Sequence, residues 1–120
     1  MLKGKITDQD LEKILLNTQK DLYDGKLGTE LLRVLRDNFP TADSAYILQW
    51  IPEQGEDIFW ILIKPSIVSV IEVPRSSNHL MSKSTFRVMT TDDYLKRRLT
   101  PETKRKVNLA VKLQVRQTID

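Results

Sequence analysis

The sequence predicts an α+β fold, with two N-terminal helices, an antiparallel three- or four-stranded β-meander and a C-terminal helix. Three observations carry this reading. Apolar residues recur at helical spacing as far as Phe39, alternate with period two from Tyr46 to Val73, and after Thr100 follow a helix-start signal. At 120 residues the chain has the length of one globular domain, 1–120, enough to bury a core without disulfides or metal. Its 40% hydrophobic and 29% charged residues exclude the composition of disordered chains.

Thr7-Asp8-Gln9-Asp10 has the form of a capping box with Asp in the fourth place. Leu11, Ile14, Leu15, Thr18 and Leu22 follow at helical spacing, so a first helix is expected from Asp8 to Asp24. Gly25 can take the left-handed conformation that ends a helix, and Gly28-Thr29 offers a new N-cap before Leu31, Leu32, Leu35 and Phe39. Pro40 stops this second helix.

From Ser44 the period changes. Tyr46, Leu48 and Trp50 alternate with Ile47, Gln49 and Ile51 in a strand rich in β-branched and aromatic residues. Pro52-Glu53-Gln54-Gly55-Glu56 is turn chemistry, and the nearly continuous apolar run from Asp57 to Lys64 reads as a central strand. After Pro65-Ser66, Ile67, Ser69, Ile71 and Val73 alternate with Val68, Val70 and Glu72 as a third strand. Residues 75 to 84 have no period and are rich in Ser and Asn, which predicts a mobile loop, and Thr85 to Met89 supplies a candidate fourth strand.

Thr90-Thr91-Asp92-Asp93 caps a short helical piece through Tyr94 and Leu95. Thr100-Pro101-Glu102-Thr103 is a strong helix start with Pro at the first helical position. Beyond it Val107, Leu109, Val111, Leu113 and Val115 alternate as a strand would, whereas the start signal and the Leu, Lys, Gln and Ala content favour a helix.

No catalytic machinery is legible. The chain has no cysteine, so disulfides and thiolate metal sites are excluded and the cytosol is the expected compartment. No apolar run marks a signal peptide, and the longest apolar stretch, Ile58 to Ile63, is far too short to cross a bilayer. His79 is the sole histidine, which excludes a multi-histidine metal site. Ser76, Ser77, Ser82 and Ser84 lie near it without a Gly-x-Ser-x-Gly elbow, so an enzyme would have to be built from His79 and these loop serines. The four glycines, at 4, 25, 28 and 55, form no phosphate-cradling loop. No cofactor or metal is therefore expected.

The charges point to binding. Residues 1 to 93 hold 11 basic and 14 acidic side chains, a net of −3, while residues 94 to 120 hold 8 and 2, a net of +6. Glu53, Glu56 and Asp57 gather at the tip of the first hairpin, where carboxylates on a rigid turn can steer a basic partner. Trp50, Phe59 and Trp60 exceed what one sheet face can bury, because neighbours along a strand point to opposite faces. Either Trp50 or Trp60 could therefore anchor an interface, where large aromatics dominate the energetics. Lys96, Arg97, Arg98, Lys104, Arg105 and Lys106 form a basic segment able to neutralise phosphates, although no aromatic residue follows Tyr94 to stack on bases.

The stretch Tyr46-Ile47-Leu48-Gln49-Trp50-Ile51-Pro52-Glu53-Gln54-Gly55-Glu56-Asp57-Ile58-Phe59-Trp60-Ile61-Leu62-Ile63, followed by Ile67 to Arg75, resembles the hairpin core of small immunity proteins of bacterial contact-dependent growth-inhibition and related polymorphic-toxin systems. The resemblance covers about 30 residues and carries over no functional residue. It implies a cytosolic, non-enzymatic protein that binds and neutralises one cognate toxin domain, often a nuclease. Inhibitors of nucleases are commonly acidic, and the pI near 9.2 runs against this, whereas the acidic body before residue 94 runs with it. The alternative is a nucleic-acid-binding accessory protein that uses the basic C-terminal segment.

Overall fold

A computed structural model describes residues 6–75 and 83–119. The elements are α1 (Asp8–Tyr23), α2 (Thr29–Asn38), β1 (Tyr46–Glu53), β2 (Glu56–Lys64), β3 (Ile67–Pro74), β4 (Thr85–Thr90), α3 (Thr91–Leu95) and α4 (Pro101–Ile119). The α+β reading holds, with four strands rather than three, and the closing segment is helix. Most of the loop expected over residues 75 to 84, including His79, Ser76, Ser77 and Ser82, lies outside the described residues.

The capping box closes α1 as read: Asp10 N–H donates to Thr7 Oγ1 (3.1 Å) and Thr7 N–H returns to Asp10 Oδ2 (3.2 Å). At α2 the N-cap is Gly28 itself, at φ 117°, with no side-chain cap. An exposed network lies along α2, where Glu30 accepts from Arg33 Nε and Nη2 (both 2.8 Å) and from Ser84 Oγ (2.7 Å). The Arg33 and Ser84 hydrogen bonds pull the Glu30 carboxyl down to about 2. A carboxyl lowered on folding stabilises above its unfolded pKa, and that contribution disappears as pH falls through the folded value. Stability should thus decline between pH 4.5 and about 2 more steeply in the wild type than in Glu30→Gln, by a small margin because the pair is solvent-screened. Thermal melts across that range check it.

The strands form one antiparallel sheet in the order β1-β2-β3-β4. Both faces are covered. On one, Tyr46, Leu48, Trp60, Leu62, Val68 and Val70 pack against Leu15 of α1, Tyr94 of α3, and Val107, Ala110 and Leu113 of α4. On the other, Ile47, Phe59, Ile61, Ile63 and Ile71 pack against Leu22 of α1 and Leu31, Val34 and Leu35 of α2. Adjacent Phe59 and Trp60 accordingly point opposite ways and are both buried. Because α1 supplies Leu15 to one cluster and Leu22 to the other, it crosses the β1 side of the sheet, and Gln19 Nε2 donates to Ala45 O (3.2 Å) there.

The register of β2 shifts between Leu62 and Lys64 on the β3 side, so Ile63 pairs with neither neighbouring strand. Backbone groups freed by such a bulge need other partners. Gln114, buried on α4, reaches Ile63 O (3.3 Å) at the shift, and its Nε2 also donates to the nearby Leu62 O (3.0 Å) and Ser44 O (2.9 Å). Gln114→Met keeps the volume and removes the donor, so buried carbonyls are stranded at a cost of about 1–3 kcal/mol in urea unfolding.

Candidate protein-binding site

The first hairpin builds the site. In the β1–β2 register Trp50 lies opposite Phe59 and Pro52 opposite Asp57, so Trp50, Phe59 and Asp57 share the sheet face that α2 partly covers. Trp50 is 54% exposed, the largest exposure among the large apolar side chains of the described residues. It is nonetheless held in place. Its ring stacks on Phe59 with centroids 5.6 Å apart and planes 17° from parallel, and its indole N–H donates to Asp57 Oδ1 (3.1 Å).

Asp57 Oδ1 also accepts from Arg75 Nε (3.1 Å) and lies 3.0 Å from Arg75 Nη2, while Arg75 N–H donates to Gly55 O (3.0 Å). Gly55 occupies the left-handed region at φ 84°, which glycine adopts without the Cβ clash and which lets the tip reverse in two residues. Partial burial pushes the Asp57 carboxyl up, but hydrogen bonds from Arg75 and Trp50 and the Arg75 charge outweigh it, so Asp57 sits below its usual range and stays ionised. The arrangement is an exposed indole locked by a stacked ring on one side and a charged acceptor at its edge.

The three tip carboxylates play two roles. Asp57 positions Trp50 and has its charge balanced by Arg75. Glu53 and Glu56 face each other across the turn, and by strand alternation they project to the opposite sheet face, without an ion pair among the described residues. Trp60 is not a surface anchor: it is 6% exposed, packs against Tyr94 at 5.3 Å between centroids, and lies under the Arg97 guanidinium at 4.5 Å. Coverage of both sheet faces is what removes it from the surface.

The basic segment is partly committed to the fold. Arg97 covers Trp60, and Arg105 Nη2 donates to Asp8 Oδ1 (2.8 Å) and Ile6 O (2.7 Å). Lys106 is largely buried, which lowers its pKa against the opposing pull of Glu102. Lys96 lies 3.7 Å from Asp93. Arg98 and Lys104 are exposed without an ion pair among the described residues.

Arg75 was not singled out by composition or motif. The register could have found it, since Glu56 pairs with Pro74 and the next residue must land beside the first turn. Among the described residues no group of three or more His, Asp or Glu is placed to hold a metal, and no helix is long and apolar enough to cross a membrane. Comparisons with protein-family models, curated proteins and solved structures return no match.

Proposed function

We propose that this chain is a non-enzymatic protein-binding domain whose principal anchor is Trp50, and that its partner is a toxin domain it neutralises, as the resemblance of the hairpin implies. The observation that carries the binding reading is the locked, exposed indole. Burying a large aromatic side chain against a partner is strongly favourable, and an indole already fixed by Phe59 and Asp57 loses little further entropy on binding. Glu53 and Glu56, at the tip of the same hairpin but on its opposite face, act at longer range as steering charges for a basic partner, a role that suits a nuclease's substrate-binding surface.

The toxin form of the proposal has a direct test. A partner captured with this chain should arrest growth when expressed alone, and co-expression of the chain should restore growth. A captured partner without toxicity would overturn that form and leave the binding reading standing.

The nucleic-acid alternative is supported by the +6 charge of residues 94 to 120, where Arg98, Lys104 and Lys112 are exposed and in no ion pair among the described residues. It is weakened by the engagement of Arg97, Arg105 and Lys106 within the fold. Phosphate-driven binding must weaken steeply as salt rises, so gel-shift titrations at two salt concentrations decide it. Absence of a shift at the lower concentration removes this alternative.

A further inference from the structure

We propose that the outer edge of β4 is a second binding surface, which accepts an extended partner strand alternating apolar and acidic side chains. It lies at the opposite edge of the sheet from Trp50 and does not depend on the role assigned to that residue. The strand order leaves two edges, β1 and β4. The β1 edge is obstructed: α1 caps Ala45 O through Gln19, a register shift falls between Ile47 and Gln49, and Pro52 removes a donor. β4 has none of these features, pairing with β3 in unbroken register from Ile67↔Thr90 to Glu72↔Thr85.

The side chains of β4 define the complement. Phe86 lies opposite Ile71 and Val88 opposite Ser69, on the α2 face, where Phe86 meets Phe39 edge-on at 5.9 Å. Both stay open to solvent, at 42% and 48%. Arg87 lies opposite Val70 and projects to the other face, exposed and without an ion pair among the described residues. It is the one charge on β4, and exposed Lys83 precedes the strand. Residues directly opposite in an antiparallel pair face the same side. A partner strand alternating apolar and acidic residues therefore sets its apolar side chains on Phe86 and Val88 and a carboxylate on Arg87.

A second copy of this chain fits less well. It would place two Arg87 side chains on one face of a short ladder.

The test uses the full chain and two blocked hexapeptides, one alternating valine with glutamate and one alternating valine with lysine, read by NMR titration and amide hydrogen exchange. The glutamate peptide should bind about tenfold more tightly and slow exchange at residues 85 to 90, and Arg87→Glu should reverse the preference. Equal binding of the two peptides, protection confined elsewhere, or no protection by either would overturn the proposal. Protection that grows with protein concentration alone would assign the edge to a second copy and overturn it equally.

Discussion

Trp50→Ala is expected to weaken partner binding by about 2 kcal/mol or more, at least roughly 30-fold in Kd, while leaving the fold intact. Trp50 is exposed, so its removal loses mainly the stacked contact with Phe59, a cost of about 0.5–1.5 kcal/mol in stability. Two further variants separate anchoring from positioning. Trp50→Phe keeps a ring over Phe59 without the hydrogen bond to Asp57, and should bind with intermediate affinity. Asp57→Ala leaves the indole in place chemically and removes its acceptor and the partner of Arg75, so binding should weaken although no contact atom of the indole is lost. Calorimetric Kd values beside melting curves for the three variants check this. Loss of affinity in proportion to loss of stability would mean that Trp50 acts on the fold alone.

Trp60→Ala should produce the larger structural effect, about 3–5 kcal/mol of lost unfolding free energy. The neighbouring tryptophans of this hairpin thus have opposite signatures, one expressed in binding and the other in folding. Trp60 fills the cluster between the sheet, Tyr94 and α4, and Arg97 packs over its ring, so alanine opens a cavity and strips Arg97 of its platform. Its indole N–H is buried with no hydrogen-bond partner among the described residues. Trp60→Phe removes that unsatisfied donor, which offsets part of the lost packing, and should cost much less than alanine. Urea unfolding of both variants measures the difference, and near-equal losses would show that the indole volume is not what the site requires.

Much of the architecture was legible because local signals agreed with it. The Thr7 capping box, Pro101 at the start of α4 and the change of period at Ser44 each mark where an element begins. The alternation of Val107, Leu109, Val111, Leu113 and Val115 misleads because the buried stripe of α4 runs through Val107, Ala110, Leu113 and Gln114. Two members of that stripe, the small Ala110 and the polar Gln114, do not stand out among the larger apolar side chains. The carbonyls of Ser44, Leu62 and Ile63, gathered beside the shift in β2, explain why a glutamine belongs there.

The site was legible in part for the same kind of reason. Aromatic surplus drew attention to Trp50 and Trp60, yet the choice between them depended on α2 and α4 covering both faces of the sheet, a tertiary fact. The carboxylates at the tip formed one cluster along the sequence. Strand alternation and Arg75, which arrives from the end of β3, divide them into a positioning group and a charged pair.

The central claim is that Trp50 presents a binding surface to one protein, and affinity capture from a lysate of the source organism tests it most directly. The bait is the full chain beside its Trp50→Ala variant, with and without nuclease treatment. The account predicts one protein recovered in equimolar amount with the wild type, insensitive to nuclease and absent with Trp50→Ala. Recovery of the same protein by both forms, or of mainly nuclease-sensitive material, would contradict it.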